Sequence, residues 1–296
     1  MILQTLRFIL NHPVNRNRPV GALWEWLRWQ VGSRCLPGPA IVPFVNDAVL
    51  VVEPGMTGAT GNIYTGLVEF EDMGFVLHFL KPEDLFLDVG ANVGVYTILA
   101  AKGVGARCIS VEALKPTFEK FQSNVLMNDI GSLVTGYNCA VGAEEGELNF
   151  TSSMDTMNRV MTDSENRDDL CQVPVKRLDD LLEGAVPRLI KIDVEGYETP
   201  VVEGAAKTLS STDQYAVIME LNGCGSKYGF DDQKLHDVMI GYGYIAVRYE
   251  PFSRELELMS GPNAIGNTLY ARKTRLDEMQ RRLVNAVSFR VKGLDI

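Results

Sequence analysis

LFLDVGANVGVYTILAA, residues 85–101, changes character midway. Leu85 to Val89 is an apolar run suited to a buried strand, Gly90-Ala91-Asn92-Val93-Gly94 a tight turn, and Val95 to Ala101 the opening of a helix. In a doubly wound sheet, ligands collect beyond the carboxyl ends of the strands, and the first strand-to-helix turn meets them with its backbone. A dinucleotide turn would read G-x-G-x-x-G, whereas Gly90-x-Asn92-x-Gly94 leaves no glycine from Ala91 through Val93. Asp88 is expected at the pocket mouth, where a carboxylate disfavours a phosphate and suits a cation.

Outward from this stretch, strands and helices alternate. Strands are predicted at 85–89, 107–111, 134–140, 188–192 and 215–221, helices at 95–103, 116–128, 199–209 and 231–242, and closing strands at 244–249 and 267–272. Between 146 and 175 the rhythm breaks: strand-like ELNF and QVPVKRL bracket a polar stretch, 151–169, read as a loop inserted near the sheet's carboxyl edge. Before residue 80 the spacing predicts a Trp-rich helix (20–31), a strand (45–53), a small-residue loop (54–66) and a helix (67–80). The tail 275–290 is charged and helix-prone. His78 falls in a helical apolar pattern and is expected to pack; His12 and His236 are expected on the surface.

A chain of 296 residues, 46% hydrophobic and 22% charged, can bury a sizeable core. Its formal charge of −10 argues against a nucleic-acid partner, since phosphate-backbone binding normally shows as a basic excess. The five cysteines are scattered without a C-x-x-C pair, which fits a reducing cytoplasm, the expected location. MILQTLRFIL, residues 1–10, is too short and too interrupted by Arg7 for a secretory signal. Trp24, Trp26 and Trp29 with neighbouring arginines suit either packing on the main domain or a partner, or a peripheral membrane contact. A homodimer is a further partner reading.

The strand after the first helix ends in CISVEA, which puts Glu112 where a doubly wound nucleotide site uses an acid on ribose hydroxyls. One acid for an amine or sulfonium and one for a ribose describe S-adenosyl-L-methionine better than NAD. In KIDVEGYE, Asp193 leaves the fourth strand, followed by Glu195 and Glu198. A hydroxyl that attacks a methyl group must lose its proton, and a carboxylate within hydrogen-bond reach can take it. Asp193 and Glu195 are the catalytic acids implied by the resemblance to class I methyltransferases set out below, where this position adjoins the methyl and the substrate, and Glu198 is expected as a helix cap. Glu220, ending the fifth strand, could join Asp193 and Glu195 around Mg²⁺; the metal-free route is preferred, so no metal ligand is assigned. Acceptor contacts are expected from Asn62, Tyr64, Asn158, Arg159 and Asn222, whose amides, hydroxyl and guanidinium suit a hydroxyl-rich molecule.

FLDVGANVGVYT, SVEALKPTFEKFQSNVLMN, CAVG and RLDDLL…LIKIDVEGYE…VVEGA resemble, in order and spacing, the FkbM family of S-adenosylmethionine-dependent methyltransferases, over about residues 84–222. The resemblance implies an α/β, class I methyltransferase fold: a doubly wound, mostly parallel seven-stranded sheet with helices on both faces. To it this chain adds an N-terminal helical and strand extension and an inserted strand pair. The implied division is an extension (1–80), a methyltransferase domain (81–275) and a helical tail (276–296). The resemblance further implies that Asp88, Gly90, Asn92 and Gly94 hold the methionine part of the cofactor, with Tyr96 and Thr97 nearby. Glu112 would take the ribose, with Ala113, Asn138 and Ala140 around the adenine. The implied reaction is O-methylation of a sugar, glycolipid or secondary metabolite. N- or carboxyl-methylation and a non-catalytic S-adenosylmethionine-binding scaffold are the alternatives.

Overall fold

The computed structural model describes residues 2–36, 38–151, 170–263 and 266–296. Eight strands form one sheet: β1 (Leu85–Val89), β2 (Arg107–Val111), β3 (Val134–Tyr137), β4 (Leu189–Ile192), β5 (Ala216–Glu220), β6 (Tyr244–Glu250), β7 (Glu255–Leu258) and β8 (Asn267–Arg272). Their spatial order is β7-β6-β8-β5-β4-β1-β2-β3. The strands β5, β4, β1, β2 and β3 pair in parallel. By contrast β8 is antiparallel to both β5 and β6, and β7 is antiparallel to β6. This is the mixed α/β, mostly parallel architecture expected, with eight strands rather than seven. The additional strand, β7, is a short edge strand, ELEL, whose acids keep it solvated and obscure its apolar alternation.

Strand order reverses between β1 and β4, the switch point at which a crevice opens beyond the carboxyl ends. Both faces of the sheet are covered, as its apolar strands require. Along β5, Ala216 and Ile218 pack into one core, and Val217 and Met219 into the other.

The N-terminal extension belongs to the first of these cores, through Ile9, Val14, Ala22, Phe44, Leu50 and Val52. It comprises helices Ile2–Asn11 and Pro19–Cys35, a hairpin of Ala40–Pro43 with Val49–Val52, and helices Thr57–Thr65 and Phe70–Phe79. The small residues of 54–66 read as a loop, yet Thr57–Thr65 is helical because Pro19–Cys35 packs against it. Side chains of the helix Lys115–Met127 and its cap complete the outer edge of the hairpin. Asn124 Oδ1 accepts from Val51 N–H at 2.8 Å and Asn128 Oδ1 from Val49 N–H at 2.9 Å, while the Asn128 amide donates back to the Val49 carbonyl at 2.8 Å.

The third strand is shorter than expected. It leaves the main sheet after Tyr137, and Ala140–Val141 instead joins the inserted pair Gly146–Thr151 and Leu170–Lys176 in a small three-stranded sheet. The helix expected over 199–209 breaks at Gly204, whose carbonyl accepts from Asp179 N–H. The tail forms the helix Leu276–Val284 and then a two-stranded hairpin, Arg290–Val291 with Leu294–Asp295. His78 is buried, with Nδ1 2.6 Å from the Tyr249 hydroxyl. His12 and His236 are also buried rather than on the surface: the first lies between Phe8 and Phe70, the second 2.9 Å from the Tyr270 hydroxyl. Among the described residues no helix is long and apolar enough to cross a membrane.

Candidate active site

A cavity of about 430 Å³ opens at the switch point, within the size range of small-molecule sites. Its floor is the turn after β1. There Gly90 has φ +79°, and a Cβ on it would stand 1.8 Å from the Asp193 carbonyl oxygen. Gly94 has φ +89°, and a Cβ there would meet the Phe121 ring at 2.8 Å. Both glycines are therefore demanded by the protein's own packing, and Gly94 does not line the cavity. Asn92 sits at φ +51°, the left-handed region that asparagine tolerates, with its Oδ1 accepting from Val93 N–H at 2.7 Å.

Asp88 lines the cavity but is 1% exposed, so it lies beneath the mouth rather than at it. It accepts from the Thr97 hydroxyl at 2.7 Å, and Thr97 in turn meets Ser110 at 2.7 Å. Thr97 thus positions Asp88 and is outside the cavity lining. Glu112 joins two loops, one carboxylate oxygen accepting from Asn92 N–H and the other from Leu114 N–H, each at 3.0 Å. Burial pushes Glu112 up to about 7 despite these bonds. Asn138 spends its amide donors on the carbonyls of Glu112 and Ala113, both at 2.9 Å, so it braces this wall of the cavity from behind and is not part of its lining. Ala113, Cys139 and Ala140 form that wall, with Phe150 of the inserted sheet.

The opposite wall is the carboxyl edge of β4 and β5. Asp193, Glu195 and Glu220 each bring a carboxylate oxygen within 4.8 Å of the other two. Asp193 is paired to Lys191 Nζ at 2.6 Å. Lys191 is almost wholly buried and stands 4.7 Å over the Tyr96 ring. Burial alone would lower its pKa, but Asp193, Glu69 and Asp88 outweigh that and hold the ammonium charged. Glu220 is the opposite case. Its Oε2 is buried without a hydrogen-bond partner, and burial together with repulsion from Asp193 and Glu195 raises the carboxyl to about 8. Glu198 serves the loop rather than the cavity, its Oε1 accepting from Val194 and Gly196 N–H at 3.2 and 3.1 Å.

The N-terminal extension supplies the third wall through Gly58, Val68, Glu69 and Met73. Glu69 accepts from the Tyr96 hydroxyl at 2.7 Å and from the Asn267 amide at 3.2 Å. The acceptor contacts expected from this segment are not the ones formed. Asn62 is buried, its Oδ1 accepting from Val68 N–H at 2.9 Å, and Tyr64 is buried within the core. Asn222 is exposed and closes its own turn by accepting from Cys224 N–H at 2.9 Å. Asn158 and Arg159 lie outside the described residues. Sequence reasoning missed Lys191, Glu69 and Met73; a lysine inside the otherwise apolar LIKI was the available signal, because lysine is seldom buried unpaired.

The sequence model described as the Methyltransferase FkbM domain matches residues 88–246. The ribosomal protein L11 methyltransferase of Syntrophomonas wolfei is 26% identical over 112 residues, 36% of this chain and 35% of that protein. The chain thus spans about a third of the length of this curated relative. Among solved structures, the chain is similar to the methyltransferase FkbM of Methylobacillus flagellatus, with TM-score 0.44 and 16% identity over 71% of this chain and 53% of that one. It is also similar to the precorrin-6y C5,15-methyltransferase of Geobacter metallireducens, with TM-score 0.40 and 10% identity over 69% and 87%.

Proposed function

This chain belongs to the FkbM methyltransferase family, and from that premise we propose that it transfers a methyl group from S-adenosyl-L-methionine to a hydroxyl of a sugar, glycolipid or secondary metabolite. The observation that carries the reading is the convergence of Asp193, Glu195 and Glu220 opposite the cavity wall formed by Glu112. The cavity suits this cofactor. Among the described lining residues Asp88, Glu112, Asp193, Glu195 and Glu220 outnumber the buried cation Lys191, so a ligand carrying positive charge relieves their repulsion. Each Glu112 oxygen retains a lone pair after accepting its backbone bond, which suits a ribose diol.

S-adenosyl-L-methionine, when bound, supplies a methyl group on a sulfonium. The protein's own work is to hold the acceptor and take its proton. Lys191 occupies Asp193 and fixes its carboxylate, while Glu220 lies beside it on the wall we give to the acceptor. Glu220, partnerless at Oε2 and with a proton affinity near the working pH, is the group we assign as proton acceptor. Tyr197, in edge contact with Tyr228 and Phe230 at 5.6 and 6.0 Å, gives the acceptor an aromatic wall. The reading is tested by incubating enzyme and cofactor with a panel of glycans and polyhydroxylated metabolites and watching for the mass of one added methyl. Products methylated on nitrogen or carboxylate, with none on hydroxyl, would overturn it.

The same three acids favour a second reading, in which a divalent cation bound by their oxygens orients the acceptor. Dialysis against EDTA separates the two. Turnover that persists supports Glu220 as base, and turnover lost and then restored by Mg²⁺ supports the cation.

A further inference from the structure

The helix Pro19–Cys35 is apolar on two opposite faces. Ala22, Trp26 and Trp29 face inward, Ala22 as a core residue and the two tryptophans packed against that core. Val20, Trp24, Leu27 and Val31, at spacings of four, three and four, form a stripe on the other side and are 79%, 62%, 45% and 54% exposed. On the neighbouring helix Ile2–Asn11, Leu3 and Leu10, seven residues apart, are exposed as well. An exposed apolar stripe along one helix face marks an interaction site.

Charge selects the partner. Residues 2–36 hold five arginines and one acid in a chain whose formal charge is −10. The acid, Glu25, is neutralised by Arg18 at 2.7 Å and Lys292 at 3.3 Å. Arg7, Arg16, Arg28 and Arg34 are all exposed, with Arg28 and Arg34 beside the stripe by helical spacing. A second copy of the chain would bring the same arginines together across a two-fold axis, where like charges repel. A bilayer with anionic headgroups meets both halves of the surface: the apolar stripe enters the interface, Trp24 sits at headgroup depth, and the arginines meet phosphates and carboxylates.

We propose that the exposed face of Pro19–Cys35, with its flanking arginines, docks the protein on anionic lipid surfaces. This helix packs on Thr57–Thr65, whose Gly58 lines the cavity, so these two helices connect a docked bilayer to the reaction site. The inference stands independently of which acceptor is methylated.

Co-sedimentation of the full chain with phosphatidylcholine vesicles, with and without phosphatidylserine, tests it. Binding is expected to the anionic vesicles alone, to weaken with salt, and to fall roughly fivefold for Arg28→Gln. Trp24→Ser and Leu27→Glu should reduce binding further, while Leu126→Ser, an exposed leucine on a different helix, should leave it unchanged. Circular dichroism melts verify that the variants fold. No sedimentation with anionic vesicles, or equal binding by Leu27→Glu, would overturn the proposal. So would a self-association that Leu27→Glu abolishes in a protein that ignores vesicles.

Discussion

At Gly90 the backbone is left-handed and pressed against the Asp193 carbonyl, so the turn that cradles the cavity is also the joint between β1 and the end of β4. Gly90→Ala should destabilise the protein by at least about 2 kcal/mol, from the left-handed cost plus the collision, and lower the thermal midpoint accordingly. This glycine was legible in the sequence; its reason was not, because the atom it avoids lies more than a hundred residues away. Asp88 and Glu112 were likewise legible as cavity acids. Their partners, Thr97 and the N–H groups of Asn92 and Leu114, became visible only in three dimensions. At Glu220, removing the carboxylate while keeping its shape separates chemistry from binding. Glu220→Gln should lower kcat by roughly 10²–10³ and leave cofactor affinity within a few-fold, read by turnover and calorimetry. Equal losses in both would place Glu220 among the cofactor's contacts instead.

Elements with strong period were legible to within a residue or two. β1, β2 and β8 have the predicted limits because their apolar runs are marked off by glycine or charged residues, Asp84 and Gly90 for β1, Arg107 and Glu112 for β2, Gly266 and Arg272 for β8. Reading failed where the partner, not the segment, decides the structure. Thr57–Thr65 is helical against its propensity, and Ala140–Val141 leaves the main sheet to pair with Leu170–Lys176. The outer edge of the Val49–Val52 strand illustrates the same point, since two asparagine side chains stand in for a neighbouring strand. Asn124 also donates to the Val93 carbonyl in the cavity turn at 2.9 Å, so one side chain ties the extension to the site. Asn124→Leu leaves the Val51 N–H and the Val93 carbonyl without this partner and should cost about 1–3 kcal/mol in chemical denaturation. It should also weaken cofactor binding, whereas Ser123→Ala, one residue away and exposed, should do neither.

Across the whole molecule, buried acids set the response to pH. Burial raises Asp72, Glu112 and Glu198 to about 7 and Glu220 to about 8, all above their unfolded values. Raised carboxyls stabilise the fold fully below the unfolded pKa, and that contribution is lost as pH climbs through 7 to 8. Burial lowers His12 and His78 to about 4, which acts in the opposite sense, costing stability as pH falls from 6.5 toward 4. Of these two sets of described groups the carboxyls are the ones still titrating above pH 6.5, so the thermal midpoint should fall by several degrees between pH 6.5 and 8.5. A rising midpoint would show these acids to be ionised and paired in the fold. A cationic ligand in the cavity reverses part of this by expelling protons from Glu112 and Glu220. The most direct measurement is therefore titration calorimetry of the protein with S-adenosyl-L-methionine at pH 7, in two buffers of different ionisation enthalpy. One site of micromolar affinity, with protons released on binding and no heat from NAD, is the predicted result. Absence of binding at high micromolar concentration, or binding of NAD in its place, would contradict the account.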